Sequence, residues 1–220
     1  MKYRLQLYMD TSPTELGDLA RQLRTLIDSW RVGEWCYEVG DGVKSVRSVE
    51  DCGAALEENT YPWKYGDQKR VSYEPTLFVG APEAPLVSVT YTCGVEIDLP
   101  LMPNRLVAIV DSELTADNGA ALLQSWMLGA IEIFRPRFGH AGSLDIPTPV
   151  MPLTPHPKPP IGWLTYLTHA FQVPAKLPQP SVAYAAPDGV LLVAHPELFL
   201  EFKPAHRDAV RNLEAALWQT

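Results

Sequence analysis

Five histidines (His140, His156, His169, His195, His206) and three cysteines (Cys36, Cys52, Cys93) are the side chains of this chain with the widest chemical range. A helix-borne metal pair needs two histidines three or four positions apart, and no two of these stand so. No Cys-x-x-Cys occurs, which removes zinc ribbons and thioredoxin-type redox motifs. The cysteines therefore read as small buried hydrophobes in a reducing compartment. His195 closes an apolar run before Pro196 and reads as structural. His140, after Phe138-Gly139, is expected near a helix exit, with its imidazolium meeting exposed carbonyls. A dyad of His140 with Cys93 or Ser143 has no spacing to support it.

Phosphate and nucleophile motifs are also missing: the chain has no G-x-x-x-x-G-K-[ST], G-x-G-x-x-G or G-x-S-x-G sequence. Restriction-type nucleases need an Asp and then a strand-borne Glu-x-Lys to hold a metal. Glu201-Phe202-Lys203 is the one Glu-x-Lys, but Pro204 cuts it short and the upstream Asp188 falls in a turn. By elimination the chain is expected to bind rather than catalyse, with no cofactor, no metal and no catalytic residues.

Charge gives that binding a direction. The net charge of −8 over 220 residues lacks the basic footprint of a nucleic-acid binder. Residues 1–60 hold 11 acids and 7 bases, residues 61–119 hold 8 and 4, and residues 120–220 hold 7 of each. The whole excess therefore lies in the first 119 residues. Such a one-signed field keeps a protein soluble, and it also draws in partners of opposite sign.

The elements that must position these groups follow from periodicity. Tyr3, Leu5 and Leu7 alternate with Arg4 and Gln6, which predicts a half-buried strand. Ser12-Pro13-Thr14-Glu15 reads as a helix start with Ser12 as cap, and Leu16, Leu19, Leu23, Leu26, Ile27 and Trp30 mark one face as far as about Gly33. An aromatic strand, Trp35 to Val39, runs into the turn Gly40-Asp41-Gly42. Ser48 caps a second helix whose apolar side is Val49, Cys52, Ala55 and Leu56 and whose other side is acidic. Residues 70–80 and 86–94 read as a hairpin with a loose loop, and Arg105–Asp111 as a further strand.

The longest helix is expected from Thr115, Asp117 or Asn118 to about Arg135, with Leu122, Trp126, Gly129 and Ile133 as its stripe, Leu123, Met127 and Ala130 broadening it, and Gly139 marking the exit. Residues 147–160 hold seven prolines in fourteen positions, a stiff spacer between parts 1–146 and 161–220 of a single domain. Residues 181–195 form a hairpin about Pro187-Asp188-Gly189, and Pro204 opens a last helix carrying Val210, Leu213, Leu217 and Trp218 inward. Connections this short favour antiparallel neighbours, so the predicted class is α+β: a mainly antiparallel sheet with helices packed on one side. With no apolar run near 18 residues and no signal-peptide core, the chain is expected to be soluble and cytoplasmic.

Residues 160–168, Pro-Ile-Gly-Trp-Leu-Thr-Tyr-Leu-Thr, resemble the GW(L/M)TYLS stretch of the immunity protein 52 family, whose members neutralise toxins of bacterial polymorphic toxin and type VI secretion systems. The opening strand and helix ending in Trp30 are similar to that family's start, and Val87–Gly94 is similar to its SL(R)xxCGA strand. Thr168 stands where the family has serine, and Val95 where it has alanine. The resemblance implies an α+β fold, no catalysis, and a cognate toxin that is often restriction-endonuclease-like. It also singles out Gly162, Trp163, Thr165 and Tyr166 as motif residues with structural roles.

A nuclease toxin carries a basic surface for phosphates, and an acidic partner can occupy it. Glu34, Glu38, Asp41, Glu50, Asp51, Glu57 and Glu58 are the expected contact residues, with those at 50–58 on the outward side of the second helix. The alternative is a non-catalytic adaptor or structural protein of a secretion or phage-tail assembly. As Trp163 and Tyr166 are three apart in a predicted strand, they are expected on opposite faces.

Overall fold

The computed structural model describes residues 1–10, 15–65, 68–94, 104–116, 118–144 and 158–218. The N-terminal elements are β1 (Lys2–Met9), α1 (Leu16–Trp30), β2 (Cys36–Val39), β3 (Gly42–Ser45) and α2 (Val49–Glu58). A run of strands follows: β4 (Thr60–Tyr65), β5 (Gln68–Tyr73), β6 (Thr76–Ala81), β7 (Ala84–Thr92) and β8 (Asn104–Asp111). Then come α3 (Gly119–Phe134), β9 (Phe138–Ser143), β10 (Leu164–Thr168), β11 (Val182–Ala186), β12 (Gly189–Val193) and α4 (Pro204–Trp218).

Ten strands form one sheet in the order β11-β12-β10-β9-β1-β8-β7-β6-β2-β3, and β4-β5 is a separate hairpin. Every pairing is antiparallel. The protein is thus α+β with a large antiparallel sheet, the class expected from its short connections. The core lies where Tyr3, Leu5 and Leu7 of β1 meet Leu19, Leu23 and Leu26 of α1 and Leu123, Trp126 and Met127 of α3, with Cys52 and Leu56 of α2 in the same cluster. Strand residues of the other parity (Tyr8, Phe138, Leu167, Leu192) form a second cluster with Ala209, Leu213 and Leu217 of α4. No helix among the described residues is long and apolar enough to cross a membrane.

Several local expectations change. Ser12, Pro13 and Thr14 lie outside the described residues, as do Asp117 and positions 147–157 of the proline-rich stretch. Glu15, not Ser12, holds the capping position of α1. Residues 70–80 are not one strand: they break at Glu74-Pro75, so β5 pairs with β4 while β6 turns tightly into β7. On α3 the expected Trp126, Leu123, Met127 and Ala130 are buried together with Ile131 and Phe134, while Leu122, Gly129 and Ile133 are only partly buried.

Gly139 is no helix exit but the interior of β9. Its small size is needed there, since a Cβ would overlap the Leu7 side chain and lie 2.9 Å from the Gln6 carbonyl oxygen. His140 beside it is buried and far from any imidazolium role. Burial, with Arg4 adding like charge, pulls its pKa down to about 4.

Candidate functional site

The β2-β3 hairpin and α2 together form one end of the molecule, with β3 as the outermost strand of the sheet. Residues 34–58 hold all seven predicted contact acids against two bases, Lys44 and Arg47. The structure divides those acids into two sets. Glu34 accepts from Arg47 at 2.6 Å and 3.1 Å, and Glu58 accepts from the Lys44 ammonium at 2.7 Å. The Arg47 hydrogen bond holds the Glu34 carboxyl below its usual range, and the Lys44 bond does the same for Glu58.

Asp51 is a helix cap. Its carboxylate accepts the backbone N–H groups of Arg47 (2.8 Å) and Ser48 (3.0 Å), and its own N–H donates to the Ser48 hydroxyl (3.1 Å). That reciprocal box starts α2, and the Arg47 N–H above all, with the Ser48 bonds, makes Asp51 ionise more readily than a free aspartate. Glu38, Asp41, Glu50 and Glu57 are exposed and meet no cation among the described residues. Glu38, Asp41 and Glu57 are free to meet a partner, while the exposed Glu50 carboxyl, in the first turn of α2, is held below its usual range by its own backbone N–H and by the Ser48 hydroxyl.

The acidic surface is not uniform. Between the end of α1 and the loop before α2 lies a cleft of about 390 Å³ lined by Arg24, Asp28, Arg31, Glu34, Trp35 and Arg47 among others. Arg24 is tied to Asp28 and to the Val46 carbonyl (3.3 Å), and Arg47 to Glu34. Behind the cleft, Trp30 stacks on Trp126 at 4.6 Å and tilts against Trp35 at 6.2 Å, giving the end a rigid apolar backing.

The motif residues lie at the other end of the sheet and are inward. Trp163 and Tyr166 are 1% and 0% exposed. Both join the helix-side core, against the expected opposite faces, because Trp163 precedes β10 and escapes the strand alternation. Trp163 Nε1 donates to the His195 carbonyl at 2.7 Å, and the Tyr166 hydroxyl donates to the Pro187 carbonyl at 2.6 Å. Thr165 Oγ1 accepts the Gly162 N–H at 3.0 Å and donates back to the Gly162 carbonyl at 3.2 Å. A Cβ on Gly162 would overlap the Ala141 carbonyl oxygen. The polar groups of all four residues are thereby used within the fold.

One cluster escaped the sequence reading. Ligand-type atoms of His195, Glu197 and His206 lie within 4.8 Å of one another where β12 leads to α4. His195 Nδ1 accepts the Glu197 N–H (3.2 Å), and His206 Nδ1 accepts the Leu200 N–H (3.0 Å). These bonds assign both neutral rings the tautomer with the proton on Nε2, and His206 Nε2 then donates to Glu197 (3.3 Å). A metal-ligating histidine has the reverse pattern, giving its distal N–H away and offering a lone pair to the ion. The set therefore staples the loop before α4. Burial above all lowers the His206 pKa, in keeping with a neutral ring. The fold brings these residues together across eleven positions of chain, and no fixed spacing announces that.

No family model matches the chain, and no curated protein is significantly similar to it. Among solved structures it is similar to the Pseudomonas aeruginosa T6SS protein PA0821, with a TM-score of 0.57 and 13% identity. The match covers 96% of this chain and 72% of that one. At this identity the likeness establishes a shared fold over nearly the whole chain.

Proposed function

We propose that this chain is an immunity protein of the immunity protein 52 kind, binding and neutralising a basic nuclease toxin of a type VI or contact-dependent secretion system. It acts in the cytoplasm, with the toxin as partner and without cofactor, metal, nucleic acid or membrane. The observation that carries this reading is the charged end: Glu38, Asp41, Glu50 and Glu57 stand exposed with no cation among the described residues, on a hairpin and a capped helix with a rigid backing. Such an array attracts a phosphate-binding surface and speeds its capture.

The fold shared with a protein named for the type VI system supports the setting. The non-catalytic reading is supported by the two buried thiols: burial pushes Cys52 up to about 12 and raises Cys93 as well, away from a reactive thiolate. The tautomers of His195 and His206 support it too. The alternative of an adaptor or structural protein of a secretion or phage-tail assembly draws on the same neighbour, which is named for the secretion system and not for a toxin.

The test is co-expression with the C-terminal domain of a large toxin encoded beside this gene. The wild-type chain is expected to restore growth and to inhibit the purified domain. A Glu38→Lys, Asp41→Lys, Glu50→Lys, Glu57→Lys variant is expected to lose binding by 100-fold or more (on the order of 1 kcal/mol per reversed contact). Wild-type affinity in that variant, or an uninhibited toxin with the wild-type chain, refutes the reading.

A further inference from the structure

The far edge of the sheet has a feature that neutralisation does not use. Among the described residues β11, Val182-Ala-Tyr-Ala-Ala186, pairs only with β12, in unbroken register from Val182↔Val193 to Ala186↔Gly189. Its residues Val182, Ala183, Tyr184 and Ala185 are all exposed, Tyr184 at 47% and Val182 at 38%. An edge with open backbone groups usually carries lysine, proline or a bulge to block another strand. β11 has none of the three.

Charge selects the occupant. Residues 120–220, which include β11, balance at 7 acids and 7 bases, while the excess of −8 sits in residues 1–119. Nine strand spacings of about 4.8 Å put the β3 edge some ~43 Å from β11. That is several times the Debye length of about 8 Å at physiological salt. Two copies that meet at β11 hold their acidic ends at opposite extremes, whereas two copies meeting at β3 would press Glu38 and Asp41 together. Antiparallel pairing is also self-complementary about a two-fold axis. With the axis at Tyr184, the middle of the five residues, Tyr184 faces its copy and Ala183 faces Ala185. An aromatic cross-strand pair of this kind is favourable.

We propose that β11 is the contact through which two copies of this chain pair edge to edge, joining their sheets into one and leaving the acidic ends outermost. The dimer presents two toxin-binding ends and does not depend on either being occupied.

Sedimentation equilibrium of the full chain over a micromolar to millimolar series tests this. The mass is expected to rise from 24.4 kDa toward twice that value and to hold in 500 mM salt. Ala183→Lys with Ala185→Lys sets lysines against lysines across the axis without removing any buried group, and is expected to stay at 24.4 kDa with an unchanged melting temperature. Tyr184→Ser, a milder change, is expected to weaken the dimer at least tenfold. Val43→Lys on β3 is expected to leave it intact. A wild-type chain monomeric throughout the series overturns the proposal, including the case in which β11 receives a strand of another protein. So does a dimer that survives the lysine pair and yields to Val43→Lys.

Discussion

At one end of the ten-stranded sheet, β3 shows water a lysine, a half-exposed valine and a turn aspartate; at the other, β11 shows only alanine, valine and tyrosine. The strands behind these edges differ in the same sense. β2 carries Glu38 on its open side, while β10 and β12 are apolar on both faces, with Tyr166 and Leu191 toward the helix-side core and Leu167 and Leu192 toward α4. A strand buried on both faces reads as a continuous hydrophobic run, as Gly189–Val193 does. The two ends have divided the work: one supplies packing, the other supplies charge. Substitutions should therefore act on stability in the buried strands β10 and β12, and on capture of a basic partner at the β3 end.

The largest effect is expected at Trp163. Its ring is 1% exposed and its indole N–H is bonded to His195. Trp163→Ala should cost about 3–5 kcal/mol in urea unfolding. Val43→Ala on the 51%-exposed β3 valine should leave the midpoint where it is. A Trp163→Ala loss below about 1 kcal/mol would erase the contrast between the ends.

Between them, in β9, His140 makes the stability pH-dependent. Folded, it takes a proton only near about 4; unfolded, it does so near ~6.5. Its contribution is complete above ~6.5 and declines as pH falls toward 4, where the loss reaches about 3 kcal/mol, because the unfolded chain binds the proton first. Urea midpoints at pH 7.5, 5.5 and 4.5 should fall for the wild type. They should fall clearly less for His140→Leu. Parallel declines would assign the acid sensitivity elsewhere, His206 being the next group lowered by burial.

How far the sequence disclosed this arrangement depended on whether a signal was local. β1 shows its period of two, Ser48 its cap, and Pro187-Asp188 its turn, with Asp188 at φ 57° in the second central position. β9 shows nothing: Phe-Gly-His-Ala-Gly-Ser has neither period nor bulk, and its Gly139 serves a close approach to β1 that lies far away in sequence. The short β3 was hidden by its turn residues, and the strand break at Glu74-Pro75 was masked by alternation continuing across it. Among the acids, composition located the surface. It could not separate Asp51, whose carboxylate closes the capping box with Ser48, from Glu57 later in the same helix.

That separation gives a prediction of middle size. Ser48→Ala removes the hydroxyl that accepts the Asp51 N–H and should destabilise the protein by about 1 kcal/mol. Asp51→Asn should act in the same direction by removing the charge at the N-terminus of α2. An unchanged unfolding midpoint in Ser48→Ala would mean that α2 is held by Cys52, Ala55 and Leu56 against α1 without help from its cap.

The smallest effect on stability belongs to Glu38, Asp41 and Glu57, and its smallness makes them useful. All three are exposed and meet no cation among the described residues. Reversing Glu38, Asp41 and Glu57 to lysine should move the melting temperature by no more than about 2 °C. The net charge would rise from −8 to −2, since each reversal adds two charges to the total. Repulsion between copies at the β3 end should fall with it, while pairing at β11, far beyond the Debye length, should be unaltered. Association with a basic partner should slow, and its dependence on salt between 50 and 500 mM should flatten. A triple variant that melts 5 °C lower would show these carboxylates to be structural, and the division between the two ends of the sheet would be wrong at its charged end.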